Sequence, residues 1–282
     1  MITYREFRQP LTALYDQAEA TAIARLVLET AFGLTWADIL SDKVTQLSAD
    51  DEAKLRKIQK KILDGQPVQY AMGRAEFCER WFDVTPAVLI PRPETQWLCH
   101  AITDAWGIMP REGSILDIGT GSGCIAATVA LGLRNSPVEV VGWDVSDAAL
   151  AVARRNARRL GAEVTFVKQD ALCPPDDHDR WDVIVSNPPY VCQSEQAGME
   201  RHVLDHEPHL ALFVPDDDPL RFYRSIARYA VKALKAGGEL LLEINRRFGD
   251  DTARLMLQQG FSHVEIKTDD YGNDRFITAI RP

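Results

Sequence analysis

The sequence has no apolar run long enough to span a membrane and no excess of positive charge. The apolar segment that begins at Ile115 is interrupted by Asp117 and by three glycines well before the roughly 20 residues that a transmembrane helix needs. Met1–Glu6 contains no apolar stretch of the secretory kind. We therefore expect no signal peptide and a cytoplasmic protein without membrane attachment.

Paired cysteines are also lacking, because the five cysteines are widely spaced and none forms a C-x-x-C pair. This pattern indicates reduced thiols rather than a disulfide framework. His202, His206 and His209 lie close together in sequence, but no cysteine is near them and Pro208 interrupts the segment. We therefore expect no metal site.

The net charge of −9 is unevenly spread along the chain. Residues 1–75 carry ten basic and ten acidic side chains, whereas residues 76–282 carry 22 and 31. Proteins that bind DNA or RNA gain most of their affinity by neutralising phosphates. An acidic second part therefore argues against direct nucleic-acid binding, and we expect none.

The first 110 residues fall into two segments with different predicted secondary structure. Residues 1–70 are predicted to form a small helical bundle, because apolar side chains recur at helical spacing over Glu19–Leu34 and Ser48 is placed to cap a second helix. Residues 71–110 are predicted to form a β-hairpin and a linking helix, because β-prone residues punctuated by glycine and proline precede a helical pattern.

Residues 111–282 alternate strand and helix patterns, which predicts an α/β, Rossmann-like fold with a doubly wound, mainly parallel sheet of seven strands. The last two strands are separated only by the turn Asp270–Asn273 and must pair antiparallel. A parallel sheet that ends in an antiparallel hairpin differs from a plain dinucleotide-binding fold. The predicted strands are residues 115–118, 138–143, 164–167, 182–186, 239–244, 264–267 and 275–280.

A glycine-rich loop, Asp117-Ile-Gly-Thr-Gly-Ser-Gly123, follows the first strand of this part. Its glycines allow a sharp turn and a close approach of the backbone to a ligand. The G-x-G-x-G spacing differs from the dinucleotide G-x-G-x-x-G, and a ligand without phosphate, such as S-adenosylmethionine, needs only the close approach. An ordinary strand-to-helix turn would also explain the loop. The candidate cofactor-binding residues here are Gly119, Thr120, Gly121, Ser122 and Gly123.

Two acidic residues end the next two predicted strands. Asp144 lies where a carboxylate can accept hydrogen bonds from both ribose hydroxyls of a nucleoside. It could instead cap the following helix, although Ser146 or Asp147 could also do so. Asp170, with Ala171 beside it, is placed to meet the adenine amino group, or is a solvated loop acid. Together with the glycine loop, these residues predict a nucleoside site.

The motif Asn187-Pro-Pro-Tyr190 follows the buried strand Val183–Ser186, and strand ends in open α/β sheets face the ligand crevice. The prolines hold an extended backbone with its carbonyls turned outward. The Asn187 side-chain oxygen and the Pro188 carbonyl can then accept both hydrogens of an NH2 group, while Tyr190 offers a flat face to the planar group that carries it. A rigid turn would explain the prolines but not the Asn and Tyr. The motif therefore predicts a methyltransferase that acts on a weakly nucleophilic amide or amino nitrogen and stabilises the charge that develops there.

With these motifs the chain resembles the class I S-adenosylmethionine-dependent methyltransferases that bear an N-P-P-Y motif. More narrowly, it resembles the protein-(glutamine-N5) methyltransferases of peptide-chain release factors. Leu89-Ile-Pro-Arg-Pro-Glu-Thr95 is similar to the second signature of that family, and Glu207-Pro208, Ala211-Leu212 and Leu240–Glu243 also fit. The likeness covers nearly the whole chain.

The resemblance implies S-adenosylmethionine as cofactor and, as substrate, the glutamine of the Gly-Gly-Gln loop in bacterial class 1 release factors. It implies that the helical domain contacts the release factor, and we expect a monomer. Gln96 stands where relatives usually carry Glu, and Ala171 where some place an aromatic near the adenine. The expected catalytic residues are Asn187, Pro188 and Tyr190. The residues expected to bind the cofactor are those of the glycine loop together with Asp144, Asp170, Ala171 and Asn187. The residues expected to bind the substrate are Arg92, Glu94, Asn187, Pro188, Pro189 and Tyr190.

Three alternatives share some of these features. A sister enzyme that methylates a glutamine of a ribosomal protein would carry both signatures. An amino-methyltransferase acting on adenine or guanine in nucleic acid would carry N-P-P-Y, but it would need a basic groove and a base-flipping pocket. A nucleoside-binding module without catalysis would not be expected to keep the complete N-P-P-Y motif.

Overall fold

The computed structural model describes residues 1–107 and 112–282, and the chain divides into two compact units. One unit contains Met1–Arg74 and Glu200–His206, and the other contains Ala75–Met199 and Glu207–Pro282. The division predicted from the sequence, 1–70, 71–110 and 111–282, stays a prediction, and its boundary between 110 and 111 lies outside the described residues. None of the helices in the described ranges has the length and apolarity to cross a membrane.

The first unit is helical, as predicted, and its helices bury one apolar core around residues such as Phe7, Val27 and Leu55. Side-chain caps fix where the first four of its α-helices begin. Ser48, the residue that the sequence indicated as a cap, accepts a hydrogen bond from the backbone N–H of Asp51. The helices are α1 (Tyr4–Leu11), α2 (Gln17–Phe32), α3 (Trp36–Leu40), α4 (Ala49–Leu63) and α5 (Val68–Met72), with a 3-10 turn at Lys43–Gln46.

Helix α5 crosses residue 70, where the sequence predicted that the helical bundle gives way to the hairpin segment. Pro67 precedes the helix, and its ring fixes a backbone angle that is compatible with a helix start. Gly73 ends the helix in the left-handed conformation, with φ of 78°. The predicted hairpin therefore begins only at Arg74, with strands β1 (Arg74–Phe77) and β2 (Arg80–Asp83).

The second unit is built on a seven-stranded sheet. Its strands, in spatial order, are β10 (Ser262–Thr268), β11 (Asp274–Ile280), β9 (Leu234–Glu243), β6 (Trp181–Ser186), β3 (Gly113–Ile118), β4 (Val138–Asp144) and β5 (Thr165–Lys168). All neighbouring strands pair in parallel except β11, which runs antiparallel to both β9 and β10. This confirms the predicted sheet and its antiparallel C-terminal strand.

Helices cover both faces of this sheet, so successive residues of a central strand enter opposite apolar layers. On β3, Leu116 packs in one buried cluster with Tyr223 and Ile226, whereas Ile115 packs in the other with Cys99 and Val129. The helices are α6 (Gln96–Gly107), α7 (Cys124–Gly132), α8 (Asp147–Leu160), α10 (Arg221–Ala233) and α11 (Gly249–Gln258). Shorter elements are α9 (Arg201–His206, in the first unit), the strands β7 (Val191–Cys192) and β8 (Phe213–Val214), and 3-10 turns at Gln193–Gly198, His209–Ala211 and Arg246–Phe248.

Strand β3 lies at the centre of the sheet, where the direction of winding reverses. The chain proceeds from β3 to β4 and β5 on one side and then returns to β6 on the other side. The registers place Ile118 beside both Trp143 and Ser186, so the loops after β3, β4 and β6 leave the sheet at one edge. Such a reversal point is the usual ligand crevice of an open α/β sheet.

Candidate active site

A cleft with a volume of about 380 Å³ opens at this edge of the sheet. Residues from the predicted glycine loop, the ends of β4 and β6 and the Leu89–Thr95 segment line it together. Of the residues predicted from the sequence, the cleft is lined by Gly119, Thr120, Gly121, Ser122, Asp144, Asp170, Ala171, Asn187, Pro188, Pro189 and Arg92.

The Asp144 carboxylate holds the glycine loop in place. One oxygen accepts a hydrogen bond from the N–H of Gly121 at 2.9 Å, and the other accepts one from the N–H of Ser146, also at 2.9 Å. Gly121 has φ of 53°, a left-handed conformation that suits glycine. Ser146, not Asp144, caps α8 by accepting a hydrogen bond from the N–H of Ala149. Burial raises the pKa of Asp144, and each of its oxygens keeps a lone pair for a ligand hydroxyl.

Gly123 allows helices α7 and α8 to pack closely. A Cβ at this position would lie 3.1 Å from the Ala153 Cβ and 3.3 Å from the Phe166 ring, so a side chain would push α7 and α8 apart. Unlike the other four loop residues predicted to bind the cofactor, Gly123 is not among the described residues that line the cleft. The third glycine therefore brings the helix close to its neighbours, a recognised role of the last glycine in such loops.

Asp117 lies fully buried at the end of β3, beneath the loop. Its Oδ2 accepts hydrogen bonds from Thr120 Oγ1 at 2.7 Å and from the N–H of Ala126 at 3.2 Å. Its Oδ1 is also buried and has no hydrogen-bond partner within residues 1–107 and 112–282. Burial raises the pKa of Asp117 to about 7, and the nearby Asp144 charge adds to the effect. A buried oxygen without a partner is costly for the ionised carboxylate, in keeping with this raised pKa.

Asp170 and Ala171 line the cleft after β5, and an aromatic ring from a distant helix stands with them. Asp170 Oδ1 accepts the N–H of Leu172 at 2.8 Å, which closes a tight turn. Ser225 Oγ of α10 donates to the Ala171 carbonyl at 2.6 Å. Phe222, one helical turn earlier on α10, lines the same cleft. Phe222 is the aromatic residue of the described cleft lining.

Asn187, Pro188 and Pro189 line the cleft directly beyond β6. Ser186 Oγ donates to the Ile118 carbonyl at 2.6 Å, which ties the motif to the end of β3. The Asn187 side chain donates from Nδ2 to Thr95 Oγ1 at 3.2 Å. Its Oδ1 is therefore the amide atom available as an acceptor.

Tyr190 lies behind the cleft lining. The half-buried ring packs against the apolar cluster on one face of the sheet, and its hydroxyl donates to Glu243 Oε1 at 3.0 Å. The Tyr190 carbonyl accepts a hydrogen bond from Asn245 Nδ2 at 3.0 Å. Burial raises the pKa of Tyr190, and the Glu243 charge reinforces this. The described contacts thus anchor the N-P-P-Y segment through Tyr190, while its predicted role as a flat face for the substrate remains a prediction.

The Arg-Pro-Glu-Thr segment contributes two of its side chains to the cleft. Arg92 lines it, and its guanidinium is 2.6 Å from the buried carboxylate of Glu207. Thr95 lines it as well, whereas Glu94 is half-buried and lies outside the described cleft lining. The structure therefore brings Arg92, but not Glu94, to the predicted substrate region.

Four further residues of this site were not predicted to act there. Thr95, Glu207 and Glu243 were quoted only as parts of signatures, and Phe222 was not singled out. A buried carboxylate needs partners, so an acidic residue at the end of an apolar strand, as in Leu240-Leu-Leu-Glu243, was a usable signal for Glu243. No local pattern identifies Phe222, because only the packing of α10 brings it to the cleft.

Comparison with known proteins agrees with this geometry. Residues 92–208 match the Methyltransferase small domain family, and residues 4–73 match the PrmC N-terminal domain family. The chain is 43% identical over 275 residues to a release factor glutamine methyltransferase of Bacteroides thetaiotaomicron, with 97% of each chain covered. It is 38% identical to the protein of the same name from Flavobacterium psychrophilum, over 96% of this chain and 95% of that protein. The corresponding Bacillus anthracis protein is 37% identical over 99% of both.

Proposed function

The chain belongs to the release factor glutamine methyltransferase family, and on that premise we propose that it methylates the side-chain amide N5 of the glutamine in the Gly-Gly-Gln loop of bacterial release factors, with S-adenosylmethionine as methyl donor. One observation carries the proposal. Asn187 and Pro188, which can accept an NH2 group, share one cleft with the Asp144-anchored glycine loop.

The residues of the cleft fit an adenosine with an amino-acid tail. We assign the ribose hydroxyls to Asp144, whose oxygens line the cleft and keep free lone pairs. We assign the tail to the backbone of the loop around Gly119 and Gly121, both of which line the cleft. The bound cofactor supplies a methyl group on a sulfonium, a strong electrophile.

The amide nitrogen of glutamine is a poor nucleophile, because its lone pair is delocalised into the carbonyl. The residues of this chain must therefore orient it. Asn187 Oδ1 and the Pro188 carbonyl accept the two N–H groups of the glutamine. Two fixed acceptors align the nitrogen and favour the positive charge that grows on it during transfer. Holding two reactants in line accounts for roughly 7–11 kcal/mol of barrier reduction in well-oriented reactions.

The helical unit is proposed to dock the release factor. Residues 4–73 match a domain family distinct from that of the catalytic part, and their helices carry a balanced set of charges. A chain that begins at residue 75 is expected to show a raised KM for release factor with unchanged affinity for the cofactor. The same KM as the full chain, at unchanged cofactor affinity, would reject the docking role.

The test of the proposed function uses methyl-labelled cofactor and three acceptors. We expect label to enter a class 1 release factor and not its Gln→Ala loop variant or a ribosomal protein. A mass increase of one methyl group on the loop glutamine would locate the product. Labelling of the Gln→Ala variant, or of ribosomal protein instead of release factor, would reject the proposed substrate.

A further inference from the structure

Four side chains from three distant parts of the sequence form one hydrogen-bonded row that includes the proposed acceptor residue, Asn187. Asn187 Nδ2 lies 3.2 Å from Thr95 Oγ1, and Thr95 Oγ1 lies 2.7 Å from Glu243 Oε2. The other oxygen of Glu243 accepts the Tyr190 hydroxyl at 3.0 Å. Thr95 and Glu243 are buried, with relative exposures of 3% and 1%.

The proton positions along the row follow from its chemistry. An ionised Glu243 has no hydrogen to give, so both the Thr95 and the Tyr190 hydroxyls donate to it. Thr95 has a single hydroxyl hydrogen, and once this points at Glu243 the oxygen can only accept from Asn187. The Asn187 amide must therefore present Nδ2 to Thr95 and Oδ1 to the opposite side.

This orientation matters because the two ends of an asparagine amide have similar shapes but opposite hydrogen-bonding roles. A reversed amide would present N–H groups to the NH2 of the glutamine, so that donors would face donors. Holding Glu243 ionised at this buried position has an energetic cost. Burial raises the pKa of Glu243, against the opposing effects of its two hydroxyl partners and Arg275, and a buried carboxylate is unfavourable unless it is well satisfied.

We propose that Thr95 and Glu243 are positioning residues that fix the Asn187 side-chain amide with Oδ1 towards the methyl acceptor. The inference rests on the proposed function for its catalytic consequence, but the orientation of the amide is a property of the protein alone. Thr95 acts through Asn187, and Glu243 acts through Thr95.

The central variant is Thr95→Val, which keeps the shape of the side chain and removes the hydroxyl. Loss of one well-placed hydrogen bond is expected to lower kcat by about tenfold, with the KM for release factor and the affinity for cofactor changed much less. Thr95→Ser restores a hydroxyl and should recover most of kcat. Thr103→Val is the matched control, because Thr103 lies on α6, the helix that begins directly after Thr95, and donates only within that helix, to the carbonyls of Cys99 and His100.

A second readout does not require turnover. In protein with isotope-labelled asparagine, the Asn187 side-chain NH2 signal can be assigned by its loss in Asn187→Asp. We expect this signal to move in Thr95→Val, to return towards its original position in Thr95→Ser and to stay in Thr103→Val.

The outcomes separate this inference from the proposed function. An unchanged kcat and an unmoved Asn187 signal in Thr95→Val would overturn the positioning role, as would a loss of kcat that Thr95→Ser does not recover. If wild-type protein fails to methylate release factor, the proposed function fails, and the NH2 signal alone then decides the anchoring. A signal that moves only when the hydroxyl is removed supports the inference in either case.

Discussion

Arg92 and Glu207 form an ion pair, at 2.6 Å between Nη2 and Oε1, that joins two signature segments 115 residues apart in sequence. The other Glu207 oxygen accepts the N–H of Ile90 at 3.1 Å. The Glu207 side chain is 1% exposed, whereas Arg92 is 31% exposed and lines the cleft. Pro208, next to Glu207, lines the cleft too. The pair thus fixes two walls of the proposed substrate region to each other.

Replacing Arg92 should therefore loosen this wall and destabilise the protein. In Arg92→Ala, the buried Glu207 keeps only the Ile90 N–H, and an unsatisfied buried acceptor costs about 1–3 kcal/mol. We expect a comparable loss in the free energy of unfolding, measured with urea, and a raised KM for release factor. The exposed Arg134→Ala is the control. Equal stability and KM in both variants would show that the ion pair has no such role.

Asn187→Ala should remove methyl transfer while leaving the cofactor bound. Loss of a fixed group that stabilises developing charge typically costs 100-fold or more, on the order of 10²–10³ in kcat. The dissociation constant of the cofactor, measured by calorimetry, should change little because Asp144 and the glycine loop are untouched. Asn135→Ala, at an exposed position, serves as the control. Near-normal turnover of Asn187→Ala would reject the proposed mechanism.

Phe222 is predicted to contact the adenine in place of an aromatic at position 171. Because an aromatic contact is worth about 0.5–1.5 kcal/mol beyond its buried area, Phe222→Ala should weaken cofactor binding by at least several-fold. Phe222→Trp should retain most of the affinity. Phe248→Ala provides a comparison, since Phe248 is also half-buried but lies outside the described cleft lining. A cofactor dissociation constant that is the same for Phe222→Ala and wild type would contradict the assignment.

The buried Asp117 should make stability depend on pH. Its folded-state pKa is about 7, against about 4 for an ordinary aspartate, so the folded protein binds more protons than the unfolded chain between these values. The free energy of unfolding should consequently fall as pH rises through this window and level off above it. Between about pH 5 and pH 8, Asp117→Asn should lose roughly 2–3 kcal/mol less than wild type. Parallel urea-unfolding profiles for the two proteins would contradict this.

Much of the fold could be predicted because its signals are local. Strand and helix periods, the capping Ser48 and the short turn before β11 each fix a nearby element. The meeting of the glycine loop with Asn187 was also predictable, because strand ends share one edge of a parallel sheet. In contrast, a helix that crosses the boundary at residue 70 was not predicted, since the five residues 68–72 are too few for a visible period.

The support of the site was harder to predict, because it depends on contacts between distant segments. Thr95 and Glu243 are 148 residues apart, and only the pairing of β6 with β9 brings the Glu243 strand beside Asn187. The positions of Phe222 and Tyr190 relative to the cleft were hard to predict for the same reason. Packing brings Phe222 into the cleft lining and places Tyr190 behind it.

The most direct measurement is a crystal structure of the protein with S-adenosylhomocysteine and a Gly-Gly-Gln peptide. We predict that the glutamine side-chain nitrogen lies within hydrogen-bonding distance of both Asn187 Oδ1 and the Pro188 carbonyl, in line with the cofactor sulfur. A glutamine bound elsewhere, or a cofactor whose sulfur lies far from Asn187, would contradict the account.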